Sequence, residues 1–177
     1  MNINKKIIFF DGDGTLWYPI KTKYKKHPVW VYKDRRIKNH LIHLVLIPSV
    51  LSTIRKLKKK GIITVILSTN PSPPKIARMY LNNKVKYFNI ENLFDEVYAT
   101  RPYPESKGEF MLKILKRRKI KKSKALMVGD SYKWDYKPAR DAGIDALLIK
   151  SKYMHEHEAV RSMKRTIDKL SNIFKHI

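Results

Sequence analysis

An α/β fold around a central parallel sheet is predicted by three features of the sequence. Residues 7–10, 62–67 and 125–128 are short, continuously apolar and largely β-branched or aromatic, as strands buried on both faces must be. Helical spacing separates them, most clearly Val50, Leu51, Ile54 and Leu57 on one face. Each apolar run also ends in an oxygen-bearing side chain, Asp11, Ser68 or Asp130, at the strand end where open α/β sheets bind ligands.

Composition bounds the rest. At 177 residues the chain reads as one domain, 1–177, large enough to fold without staples. It has no cysteine, which excludes disulfides, zinc–thiolate sites and a thiol nucleophile, and suits a cytoplasmic location. No apolar run approaches the roughly 18 residues that span a bilayer, and residues 1–6 lead straight into the first strand, so neither a membrane partner nor a signal peptide is expected. Lysine and arginine number 39 against 15 acids, a net charge of +24. Between Leu16 and Ile90 the one acidic side chain is Asp34. Such a field attracts polyanions, so nucleic acid is a possible partner. The basic residues are spread through every segment, which favours a solvated surface over a nucleic-acid patch.

In chain order, the strand at 7–10 delivers Asp11 and Asp13 into one crevice, and Gly12 and Gly14 permit the tight loop that aims both at one point. Two converging carboxylates repel unless a cation or a shared proton intervenes. A divalent metal, with one aspartate as nucleophile and the other as proton donor, satisfies both. A plain Asp-Gly turn is the alternative. Residues 17–38 interleave aromatic and basic side chains. The alternation through Trp30 and Tyr32 predicts a β-hairpin flap, with Trp17, Trp30 and Tyr32 lining a substrate lip. His40 and His43 lack a third ligand nearby and read as ordinary polar histidines.

Residues 48–60 predict a helix stopped by Gly61, followed by the strand that ends in Ser68 and Thr69. A hydroxyl there can donate to a phosphate oxygen in the crevice of Asp11, and Ser68 is better placed than Thr69. Ser72 with Pro73 and Pro74 opens a further helix, which Asn82 and Asn83 are expected to end. After a short strand at 96–100, Ser106 and Glu109 fit a capping box. This sets Lys107 in the first helical turn, where a cation opposes the helix dipole, so a function must explain it. The basic run 116–124 coincides with a helix end and loop and reads as solvated. The strand ending at Gly129 presents Asp130, with Asp135 five residues on, and another strand follows at 145–149. The tail, 155–177, reads as one helix with Val160, Met163, Ile167, Leu170, Phe174 and Ile177 in a stripe that packs on the sheet or seams a dimer, so monomer and dimer both stay open.

The segments Asp11-Gly12-Asp13-Gly14-Thr15, Ser68, Lys107 and Gly129-Asp130 through Asp135 resemble, in order, the four motifs of the haloacid dehalogenase superfamily. The resemblance implies a Rossmann-like three-layer fold with a central parallel sheet, a β-hairpin flap and no cap domain. Trp17 followed by Pro19 is similar to the magnesium-dependent, protein-tyrosine-phosphatase-like group, although Gly12 is smaller than the usual apolar spacer. Implied are a hydrolase that cleaves phosphate monoesters through an aspartyl-phosphate. Asp11 and Asp13 would be catalytic, and Gly12, Ser68, Thr69 and Lys107 would hold phosphate. Mg²⁺ would sit on Asp11, the Asp13 carbonyl and Asp130, with Asp135 in support. A small phosphorylated substrate is expected, and nucleic-acid end processing or a basic binding protein on an idle scaffold are the alternatives.

Overall fold

The computed structural model describes residues 4–21, 29–101, 104–151 and 165–177, with residues 29 and 30 as backbone. Six parallel strands form the sheet in the order β5-β4-β1-β6-β7-β8: β1 (Ile7–Phe10), β4 (Ile63–Thr69), β5 (Glu96–Thr100), β6 (Ala125–Gly129), β7 (Asp145–Ile149) and β8 (Thr166–Ile167). Strand β1 is central and wholly buried. Its alternate side chains feed two cores. Ile8 and Phe10 pack with helices α2 (Val50–Lys59) and α3 (Pro74–Tyr87), whereas Ile7 and Phe9 pack with α4 (Lys107–Arg117) and α5 (Lys137–Asp141). These are the three layers expected of the sequence.

Register places the site. Phe10 pairs with Ile66 of β4 and Val128 of β6, so the residues that follow on all three strands emerge at one level. That level holds Asp11, Ser68 and Asp130.

Three expectations are corrected. Residues 29–33 form a short helix, α1 (Val29–Lys33), and not a strand of a flap hairpin. The antiparallel pair in this region is instead β2 (Trp17–Pro19) with β3 (Leu44–Leu46). Five residues cannot separate a period of 2 from one of 3.6, and the buried Val31 decides for the helix. Second, α3 runs through Asn82 and Asn83 to Tyr87, and Asn89, at φ 51°, provides the left-handed stop. The weak helix propensity of asparagine is overridden by burial of Leu81 and Val85. Pro73, not Ser72, precedes the first turn. Third, the tail is not one helix: Thr166–Ile167 adds an edge strand beside β7, and Leu170–Lys175 is a 3₁₀ turn. Ile167, Leu170 and Ile173 satisfy the apolar spacing while joining the sheet core. The expected helix over 155–164 lies outside the described residues.

Lys5, buried just before β1, donates to the Ser123 carbonyl at 2.8 Å and pairs with Asp145 at the start of β7, which also accepts from Arg140 at 2.9 Å. This cluster staples three strand starts. Burial pushes the Asp145 carboxyl up, but Lys5 outweighs it and, with Arg165 and Arg140, holds the group below the usual carboxylate range. Because the folded value is depressed, the stabilisation is complete above the unfolded value of about 3.9 and is lost as pH falls through the folded value. Asp145→Asn is therefore expected to lower Tm by about 2–4 °C at pH 7, on the order of 1 kcal/mol for a partly exposed pair, with the gap to wild type closing below about pH 4 in thermal melts.

Candidate active site

The loop after β1 turns within five residues. The Gly12 carbonyl accepts from Leu16 at 2.8 Å, Gly14 takes φ 82°, and its amide donates to the Trp17 carbonyl at 2.8 Å. The turn folds Trp17 back beneath Gly12, fully buried and stacked on Phe88 at the end of α3. A Cβ on Gly12 would lie 2.6 Å from the Trp17 ring and 3.0 Å from Ser68 Oγ. Gly12 is small because the indole fills the space that an apolar spacer would take.

Asp11 is buried, and its Oδ1 accepts from Lys107 Nζ at 2.7 Å. Lys107, itself buried, also donates to Asp135 Oδ1. The capping box starts α4 as the sequence predicts: Ser106 Oγ accepts from the Glu109 amide at 3.2 Å and Glu109 reaches back at 2.7 Å. That start delivers Lys107 into the crevice. Asp135 lies in a π-helical turn, Tyr132–Tyr136, and its Oδ2 accepts from the Ser131 amide at 3.0 Å. A Cβ on Gly129 would collide with the Asp135 carboxylate at 2.3 Å, so that approach also requires glycine.

Asp11, Asp130 and Asp135 each offer an oxygen within 4.8 Å of one another, all buried. Burial pushes the Asp11 carboxyl up to about 7; the Lys107 cation pulls it down, while the charges of Asp135 and Asp13 add to the rise. Lys107 is held above its ordinary value because the two aspartates outweigh its burial. Lys107 pairs with Asp11 and Asp135, and Asp130 brings a third buried carboxylate to the same place. Such a set of hard oxygen donors fits Mg²⁺.

Asp13 has a different environment. Oδ1 accepts from Trp17 Nε1 at 2.8 Å and from the Tyr32 hydroxyl at 2.6 Å, and Oδ2 accepts from Lys84 Nζ at 2.8 Å. Burial alone would raise its pKa, but the Lys84 charge and the hydrogen bonds from Lys84, Tyr32 and Trp17 hold it below the ordinary range. The Tyr32 hydroxyl is pushed up by burial and by Asp13, so it stays a donor. Trp17 and Tyr32 thus line the crevice from within and grip Asp13, in place of the expected open lip. The Trp30 side chain lies outside the described residues.

Ser68 sits in the crevice beside Gly12, as expected, whereas Thr69 turns toward β5, its hydroxyl 3.5 Å from that of Thr100. Lys84 was not anticipated. Its signal lay in the stripe Ala77, Leu81, Lys84 and Val85, where a lysine occupies a buried position of α3. Ending the helix at Asn83 hid that stripe.

Gly12→Ala is expected to lower Tm by several degrees, since neither the indole nor Ser68 can withdraw freely. Trp17→Phe, which removes the colliding edge of the ring, should recover part of that loss in the double variant when the four proteins are melted side by side.

No curated protein matches the chain in sequence. Solved structures share the fold. A predicted phosphoglycolate phosphatase from Haemophilus somnus 129PT superposes with a TM-score of 0.75 at 18% identity, over 99% of both chains. A haloacid dehalogenase-like family hydrolase from Streptococcus pneumoniae gives 0.70 at 18%, over 98% of both. A subfamily IA hydrolase of that superfamily from Geobacter sulfurreducens PCA gives 0.70 at 13%, over 98% of this chain and 100% of its own. At these identities the likeness concerns architecture. The sequence profile of the haloacid dehalogenase-like hydrolases matches residues 11–149, from the Asp11 loop to the end of β7, and the chain belongs to that family.

Proposed function

We propose that this hydrolase is a capless, Mg²⁺-dependent, cytoplasmic phosphatase that cleaves monoesters of small phosphorylated compounds through an aspartyl-phosphate. The observation that carries this reading is the placement of two aspartates of one loop in opposite environments. Asp11 is buried beside Lys107, and Asp13 stands two residues away in a cage of donors. A nucleophile and a proton-transfer group need such different surroundings. The fold relative from H. somnus, itself a predicted phosphoglycolate phosphatase, supports the same class.

Asp11 attacks phosphorus as the ester oxygen departs, forming the Asp11–phosphorus bond. Asp13 supplies the proton to the leaving oxygen and takes one from the water that later cleaves the acyl phosphate. Approach of a phosphate dianion raises the proton affinity of Asp13, which is otherwise held ionised by Lys84. Lys107 and Ser68 neutralise the equatorial oxygens, and Lys107 loses none of its support from Asp135 when Asp11 becomes esterified. Asp11, the Asp13 carbonyl and Asp130 would hold Mg²⁺, which supplies charge neutralisation at the phosphoryl oxygens when bound.

The test is phosphate release from 4-nitrophenyl phosphate and from a panel of phosphorylated sugars, small carboxylic acids, nucleotides, phosphopeptides and end-phosphorylated oligonucleotides. Wild type is expected to turn over small esters with Mg²⁺ and to stop with EDTA. Asp11→Asn should abolish release, by more than about 10³-fold, with an unchanged circular dichroism spectrum. Full activity in Asp11→Asn overturns the mechanism. Turnover confined to oligonucleotides overturns the substrate class and makes the +24 charge the better guide.

A further inference from the structure

A buried lysine on α3 has no part in the four motifs, yet it faces the reacting loop. Lys84 is 8% exposed, lies across the Tyr32 ring at 4.4 Å and the Trp17 ring at 5.6 Å, and donates to Asp13 Oδ2 at 2.8 Å. A lysine is desolvated at such a place only against a compensating partner. Its carboxylate partner is Asp13, and the two aromatic faces add cation–π attraction.

The donors around Asp13 can be counted against its capacity. An ionised carboxylate offers about four acceptor positions, two on each oxygen. Trp17 Nε1 and the Tyr32 hydroxyl take both on Oδ1, and Lys84 takes one on Oδ2. Among the described residues no donor takes the fourth position, on Oδ2. The three donors come from β2, α1 and α3, so the rotamer of Asp13 is fixed from three directions.

We propose that Lys84 is a positioning residue which, with Trp17 and Tyr32, locks the Asp13 carboxylate so that the remaining position on Oδ2 is the one that exchanges a proton with the leaving group. This rests on the phosphatase reading above. Lys84 acts through Asp13 and does not itself touch phosphate. In the step concerned the Asp13 Oδ2–H bond breaks as the leaving oxygen gains that proton and the bridging P–O electrons. Water returns a proton to Oδ2 when it cleaves the aspartyl-phosphate.

The dependence on leaving group separates this role from a structural one. An activated aryl ester departs with little help, whereas an alkyl ester needs its oxygen protonated. The value of kcat/KM, which reports only the steps up to loss of the leaving group, is to be measured with Mg²⁺ for a series from 4-nitrophenyl phosphate to simple alkyl phosphates. Lys84→Met is expected to lower it by about 100-fold for the alkyl esters and by about threefold or less for the nitrophenyl ester. In an Asp13→Asn background Lys84→Met should change nothing further. Tyr32→Phe removes one hydroxyl from the same cage and should steepen the leaving-group dependence in the same direction. It serves as the deciding variant if Lys84→Met does not fold. A uniform loss across the series, a loss that persists in Asp13→Asn, or a rise in KM at unchanged kcat overturns the proposal and leaves the phosphatase reading standing. A wild-type protein inactive on the whole series overturns both.

Discussion

The buried chain of charge from Asp11 through Lys107 to Asp135 is the constraint around which the site is built. Moving charges out of water costs several kcal/mol per ion unless each is paired and hydrogen-bonded. Lys107 meets that condition only if β1, the first turn of α4 and the π-turn after β6 all arrive together. Two glycines make the arrival possible. Gly129 admits the Asp135 carboxylate, and a Cβ at Gly108 would meet the Pro138 carbonyl at 2.2 Å, so α4 can lie directly on α5. Removing one member strands the others, because a lysine or aspartate left alone at this depth has no water to turn to.

Two residues along the chain, the same side-chain type is held in the opposite condition. Burial and neighbouring negative charge raise Asp11, whereas Lys84 and two neutral donors lower Asp13. The difference comes from which elements approach each side of the loop: β6 and α4 carry the partners of Asp11, while β2, α1 and α3 carry those of Asp13. The layer that contains α2 and α3 therefore does more than cover the sheet. It supplies the Lys84 cation, which lies against the Trp17 and Tyr32 rings and closes the far side of Asp13.

The sheet and the Asp11 side of the site were legible in the sequence because each depends on local pattern. Apolar β-branched runs mark buried strands, and Ser106 with Glu109 marks a helix start, which fixes Lys107. The Asp13 side was not legible. Asn82 and Asn83 carry weak helix propensity, so local preference ended α3 before Lys84, while burial of Val85 and Ile90 continued it. Trp17 and Tyr32 carried the right association with the site and the wrong geometry: an aromatic residue after a strand loop looks the same in sequence whether it lines a lip or fills a void under a glycine. The tail misled for a related reason, since spacings of three and four residues suit a 3₁₀ turn after an edge strand as well as a helix.

The two-residue strand β8 also bears on how the folded chain behaves among its own copies. An all-parallel sheet of apolar strands ends in unpaired backbone groups that can recruit another strand edge to edge. At one edge β5 carries Glu96 paired with Arg117 and Arg118, a charged fringe that discourages stacking. At the other, Arg165 and Ile167 occupy the backbone groups of Leu148 and Lys150, and among the described residues the two-residue β8 ends the sheet. Residues that contribute nothing to the crevice thus guard colloidal stability, and a chain shortened before Arg165 would present the apolar β7, Leu147 to Ile149, as an adhesive edge.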